Sequence, residues 1–227
     1  MTRPKIVSNN EWLEARRQHL KQEKEFTRLR DRLSAERREL PWARVEKDYV
    51  FDGLNGKIPL AELFAGRSQL IVYHFMFDPE WEAGCKSCSY WADNFNGIGA
   101  HLAARDVTFV AISRAPLPKL QAFAKRMGWS FPWYSSFGSD FNFDYEVSFR
   151  PEDLARGWVM YNYERRETKM TELPGLSVFA KDETGAVFHT YSCYSRGLDM
   201  LNGAYHHLDL TPKGRDEEGL PYPMDWV

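Results

Sequence analysis

Apolar positions recur at helical spacing over residues 10–38 and then give way to runs of strand length. Leu13, Leu20, Phe26, Leu29 and Leu33 mark one face of a segment otherwise filled with Glu, Arg and Lys. That pattern predicts a long amphipathic helix, with Asn10 as its N-cap and Pro41 as its stop. Its apolar stripe calls for a partner, either the chain's own domain or a second copy in a homodimer. Residues 49–53 and 55–56 read as a short strand and turns, and 58–64 as a short helical segment. Residues 68–77 form an almost unbroken apolar run, the pattern of a strand buried on both faces. A helix over 89–104, a second buried strand over 107–112 and a helix over 118–127 with Gly128 at its C-cap follow. Strand, helix, strand, helix in this order makes a right-handed parallel unit.

Residues 135–174 lack a period, which predicts an irregular insertion with one short strand near 157–161. Residues 176–180 and 186–191 then form a hairpin, with Gly185 at the turn position that needs positive φ. A last helix is expected over 196–208, and the Pro- and Gly-rich residues from 211 on as an extended tail. The expected organisation is a helical extension over 1–44, one α/β domain over 45–210 and a tail over 211–227.

Composition narrows the function classes. The fractions, 43% hydrophobic and 27% charged, are those of an ordinary globular protein. A net charge of −2 argues against a nucleic-acid-binding surface. No apolar run approaches the roughly 20 residues of a membrane span. The first ten residues lack the apolar core of a signal peptide, and three cysteines do not make a secreted disulfide framework. The expected setting is therefore the cytoplasm. Eight aromatic residues crowd 129–145, as a ring-rich core or interface, with an aromatic-lined cleft as the alternative.

The chemistry concentrates in Cys85-Lys86-Ser87-Cys88, set between a predicted strand and a predicted helix. Thiols at a helix start face its partial positive charge, which favours the reactive thiolate. A strand, Cys-x-x-Cys and a helix in succession are what a thioredoxin-like redox centre requires. Cys85, at the helix start, is the candidate nucleophile, and Cys88, one turn on, the resolving thiol of a redox-active disulfide. Lys86 adds positive charge nearby, offset by Glu80 and Glu82. Cys193, after the second hairpin strand, is a candidate third thiol. Arg114 and Arg196 are candidates to stabilise a thiolate or bind an anion, or else to form structural ion pairs, Arg196 with Asp199. His74 and His189 read as strand histidines. Either of them, or Cys193, could join the cysteines at zinc or copper. No second Cys-x-x-Cys, phosphate loop or dinucleotide fingerprint is present, and no cofactor is expected.

Several strings carry a resemblance: Glu82-Ala-Gly-Cys-Lys-Ser-Cys-Ser-Tyr-Trp-Ala-Asp-Asn-Phe95, Met127-Gly-Trp-Ser-Phe-Pro-Trp133, Val187-Phe-His-Thr-Tyr-Ser192, and Arg196-Gly-Leu-Asp199 followed by Leu208-Asp-Leu-Thr-Pro212. They resemble an uncharacterised bacterial family, a domain of unknown function grouped with thioredoxin-like and peroxiredoxin-like (AhpC-TSA-related) proteins. The resemblance implies a thioredoxin-like α/β fold: a central mixed sheet flanked by helices, with an N-terminal helical extension. The chain departs from thioredoxins in having Gly84 before the first cysteine, with Trp81 the nearest upstream tryptophan, and Lys86-Ser87 between the thiols. The place of the cis-proline falls near Pro174, Gly175 or Leu176. The peroxide-binding pattern Pro-x-x-x-Thr/Ser-x-x-Cys fits neither Cys85 nor Cys88. The reading is a thiol–disulfide oxidoreductase acting on a thiol or disulfide, protein or small molecule. The alternatives are a metal-binding or metal-delivery protein using the same cysteines, and a redox-inert binding module of the same fold.

Overall fold

The computed structural model describes residues 4–227. It divides after Pro41 into two units.

The first unit is the helix α1 (Asn9–Arg38). Ser8, rather than Asn10, is its N-cap, in a capping box: the Ser8 hydroxyl accepts from the Glu11 N–H, and the Glu11 carboxylate accepts from the Ser8 N–H. The sequence Ser-x-x-Glu supplies both partners, and Asn10 does not. No residue of the helix is buried, and Phe26 and Leu33 of its apolar stripe are exposed.

The second unit is built on eight strands: β1 (Ala43–Arg44), β2 (Val50–Gly53), β3 (Gly56–Pro59), β4 (Gln69–His74), β5 (Val107–Ser113), β6 (Trp133–Ser135), β9 (Gly175–Lys181) and β10 (Val187–Tyr194). They are ordered β1-β10-β9-β4-β5-β6-β2-β3. β4, β5 and β6 run parallel, and β9 is antiparallel to β4 and hairpinned to β10. The inner order β5-β4-β9-β10, with helical crossovers between the parallel strands, is the thioredoxin arrangement. Residues 58–64, read as helical, instead complete the edge hairpin as β3 and continue into a 3-10 turn at Leu60–Glu62.

Between β4 and β5 stand α2 (Lys86–Ala92) and α3 (Ile98–Ala103), in place of one continuous helix. Gly97 adopts φ +86°, a backbone that a helix interior excludes, and the chain turns there. α4 (Leu117–Met127) leads to β6 and ends at Gly128 in the left-handed region, as the sequence implies. The insertion holds α5 (Phe141–Asp144), α6 (Pro151–Ala155) and a separate hairpin of β7 (Val159–Tyr161) and β8 (Glu164–Arg166). The expected last helix is broken at Asn202, whose side chain accepts from the Tyr205 N–H and starts α7 (Gly203–Leu208) after a 3-10 turn at Ser195–Leu201. The residues beyond 211 form turns rather than an extended tail, and Met224 and Val227 pack on the core.

Strand alternation assigns the two faces of the sheet. Tyr73, Leu176 and Cys193 are laterally paired and face α2, while Val72, Ile112 and Phe179 face a second cluster with Phe51 and Phe141. Trp129, Trp133 and Phe141 of the aromatic-rich region are buried. Those rings are core, and full burial of each aromatic side chain contributes about 2–3 kcal/mol.

Candidate active site

The apolar run of β4 continues past the strand into a loop that delivers Cys85 to the start of α2. The loop is closed at its ends: the Cys85 N–H donates to the Met76 carbonyl at 3.1 Å, and the Ala115 N–H to the Phe77 carbonyl at 2.8 Å. Gly84 is buried at the last step before the thiol, where an added Cβ would stand 2.7 Å from the Phe75 ring and 3.1 Å from Phe123. This packing accounts for glycine where thioredoxins carry tryptophan: the residue enters the core instead of flanking the thiol.

Cys85 is the N-cap residue of α2, its sulfur accepting from the Cys88 N–H at 3.5 Å. Ser89 Oγ donates to the Cys85 carbonyl at 2.9 Å and fixes the first turn. Cys85 is partly exposed, and Cys88 is buried beneath it. The thiols are therefore displaced in opposite directions. The hydrogen bond from the Cys88 thiol, aided by the N–H groups of Cys88 and Ser87, outweighs burial and lowers Cys85 to about 7. Burial, with Cys85 adding, holds Cys88 well above its ordinary value. The Tyr73 hydroxyl, buried on the adjacent strand, donates to the Cys88 sulfur and partly offsets that rise. The Lys86 side chain is exposed and lines the same cavity.

Above the thiols lies a cavity of about 670 Å³. Met76, Trp91 and Leu198 make its apolar floor with the cysteines. Tyr161, Leu173 and Pro174 of the insertion form one wall, and Tyr205 with Tyr222, Pro223 and Met224 the other. The Trp91 indole N–H donates to the Leu198 carbonyl at 2.8 Å, tying α2 to the floor. The tail is anchored by Glu217, which accepts from the Tyr205 hydroxyl at 2.6 Å and from the Met224 N–H at 2.9 Å.

Of the residues singled out in the sequence, Cys85, Cys88, Lys86 and Arg196 meet at this cavity. Arg196 pairs with Asp199 at 2.9 Å. Trp81 packs at the edge of the core and does not line the cavity. Cys193 is buried in the cluster that contains Cys88, beside Leu176, and is not part of the cavity lining. Arg114 is likewise elsewhere. Its guanidinium bonds Asp78 at 2.7 Å and Glu172 at 2.6 Å, Glu172 also accepting from the Ser148 hydroxyl at 2.7 Å. It clamps the loop before Cys85 to the segment that leads into Pro174. Burial pushes Glu172 up to about 7 against the pull of Arg114. Pro174, one of the three residues expected near the place of a cis-proline, lines the cavity, and no described peptide bond is cis.

His74 and His189 belong to the opposite face. His74 Nε2 bonds Ser177 Oγ at 2.8 Å, Ser177 bonds Ser192 at 2.8 Å, and Ser192 bonds His189 Nε2 at 2.7 Å. Burial lowers His74 to about 3 and keeps it neutral. The residues that sequence reasoning missed are Tyr73, Tyr161, Arg166, Tyr205 and the tail. Only Tyr73 carried a signal, its alternation with His74 along β4.

Among solved structures the chain is similar to the Xanthomonas campestris bacterioferritin comigratory protein, whose alkyl peroxide reduction has been studied. The identity is 12% over 68% of this chain and 88% of that one, with a TM-score of 0.44. Peroxidoxin BcpB from Mycobacterium tuberculosis gives 16% identity over 74% and 97%, with a TM-score of 0.43. A putative thiol:disulfide interchange protein DsbE from Chlorobium tepidum gives 15% over 74% and 94%, with a TM-score of 0.42. No curated protein matches the sequence. The model of one family, described as bacterial protein of unknown function (DUF899), matches residues 1–227. The chain belongs to that family.

Proposed function

We propose that this protein is a thiol–disulfide oxidoreductase in which Cys85 attacks and Cys88 resolves. The observation that carries the reading is the vertical arrangement of the two thiols. Cys85 caps α2 at the base of an open cavity, and Cys88 lies buried one turn below, its N–H on the Cys85 sulfur. The Cys85 thiolate attacks one sulfur of a disulfide, the S–S bond breaks, and the departing thiolate takes up a proton. Cys88 then gives up its proton and attacks the Cys85 sulfur, expelling the second thiol. The substrate gains two electrons, the protein keeps a Cys85–Cys88 disulfide, and an external dithiol returns it to the reduced form. A reducing compartment such as the cytoplasm is the setting this cycle asks for.

The opposite displacement of the two pKa values suits the sequence of steps. Cys85 is ionised near neutral pH while Cys88 stays protonated until the mixed disulfide forms. Tyr73 is then a positioning residue, its hydroxyl supporting the Cys88 sulfur as charge develops on it. The metal reading needs at least three ligands together. Among the described residues no group of three His, Cys, Asp or Glu side chains is so placed.

Mixed-disulfide trapping tests the reading. Cys88→Ser, offered a disulfide, should retain a Cys85-linked adduct by mass, and Cys85→Ser should retain none. A Cys85→Ser variant that turned over dithiols as fast as the native chain would overturn the assignment.

A further inference from the structure

The cavity above the thiols has the volume of a small-molecule site, which falls at roughly 300–1,000 Å³. Its walls come from separate stretches of chain, and the turns beyond 214 close one side. A folded protein's disulfide would have to enter between those walls; a free small molecule fits inside them.

The charges at the rim are unequal. Four cations line it, Lys86, Arg166, Arg196 and Arg215, against two carboxylates, Asp199 and Glu217. Asp199 is taken by Arg196 at 2.9 Å and by Arg215 at 3.0 Å, and Arg215 is held again by Asp209 at 2.9 Å. Glu217 accepts from Tyr205 and Met224. Lys86 and Arg166 face the cavity with no ion pair to a described carboxylate, Arg166 lying 5.4 Å from the Tyr161 ring centroid. Lys86 directly follows the nucleophile in the chain, and Arg166 belongs to β8, whose partner strand β7 carries Tyr161. An apolar interior with two uncommitted cations at its mouth suits a compact disulfide whose ends are negatively charged.

We infer that the substrate is a low-molecular-weight disulfide with an apolar body and anionic termini, its carboxylates or similar groups held by Lys86 and Arg166 while its S–S bond reaches Cys85. This rests on the oxidoreductase reading. Both halves of the molecule leave as thiols, and the two electrons come from the Cys85–Cys88 pair.

The test uses the full-length reduced chain and four oxidants: 3,3′-dithiodipropionate, bis(2-hydroxyethyl) disulfide, cystamine and insulin. Formation of the intramolecular disulfide is followed by mass, and each rate is divided by that of dithiothreitol with the same oxidant. The expected order is anionic, then neutral, then cationic. The anionic-to-neutral ratio should be roughly three- to tenfold at low salt, as two solvent-exposed charge contacts supply. It should shrink as salt is raised, and insulin should be the slowest. In Lys86→Gln/Arg166→Gln the ratio should fall toward one. Equal normalised rates for the three small disulfides, a ratio indifferent to salt in the native chain, or insulin matching the small molecules would each overturn the substrate class while leaving the redox reading intact. Failure of all four to oxidise the pair would overturn the redox reading itself.

Discussion

Lowering of Cys85 to about 7 has a kinetic signature that can be worked out before it is measured. An unperturbed cysteine titrates near 8.5, so at about pH 6 Cys85 carries about 30 times the thiolate of a free thiol. Intrinsic nucleophilicity falls with pKa at a Brønsted slope of about 0.45, which over about 1.5 units gives back about fivefold. The net expectation is alkylation about sixfold faster than a free cysteine at about pH 6 and about fourfold slower at about pH 9, the curves crossing near about pH 8. The assay is pseudo-first-order labelling of reduced protein with iodoacetamide across this range, with the Cys85 peptide quantified by mass. Cys88→Ala removes the hydrogen bond that lowers Cys85 most, so its midpoint should move up toward the free value. A native midpoint at or above about 8.5, or a midpoint unmoved in Cys88→Ala, would refute the account of how the thiolate is stabilised.

Further outcomes follow from the packing. Tyr73→Phe should leave the Cys85 alkylation midpoint nearly in place but prolong the mixed disulfide, because Cys88 loses the hydroxyl that supports its ionisation; an unchanged lifetime would remove Tyr73 from the mechanism. Glu172 titrates higher in the folded chain than its ordinary value of 4.5. Its contribution, about 3 kcal/mol, is therefore present in full below that value and lost as pH rises through about 7. Glu172→Gln should flatten that decline in denaturant-unfolding stability, and equal slopes would contradict it. Gly84→Ala should cost about 1–3 kcal/mol and reduce Cys85 reactivity, since the new methyl meets the Phe75 ring. Ser177→Ala should cost about 2 kcal/mol by denaturant midpoint, leaving His74 and Ser192 without their shared partner.

Much of the sheet was legible because its signals are local. The unbroken apolar run of β4, Gly128 after α4, and Gly185 in the β9–β10 turn each dictate their conformation through a few neighbouring residues. The cysteine pair was legible for the same reason: a helix start and a three-residue spacing are read within a single turn. Misreadings arose where local pattern and actual backbone part company. Ile98 and Leu102 continue a helical spacing across Gly97, which hides the break between α2 and α3. The β7–β8 turn uses Asn162 and Tyr163 at positive φ, with a bulky tyrosine where glycine is the usual signal. The cavity was illegible altogether, since Tyr161, Arg166, Tyr205 and Tyr222 come together only when the insertion and the turns beyond 211 pack around α2. Arg114 forms one of the two arrangements its sequence offered, an ion pair, but its partners could not be named, since Asp78 and Glu172 lie 36 and 58 residues away in sequence.

The central claim is tested most directly by equilibrating the native chain with dithiothreitol buffers of graded redox poise, trapping with maleimide and reading intact and peptide masses. The account requires that two thiols, Cys85 and Cys88, oxidise together to an intramolecular disulfide and return on reduction, with Cys193 trapped as a thiol throughout. Three thiols that stay reduced at every poise, or oxidation that joins Cys193 to either of the others, would contradict it.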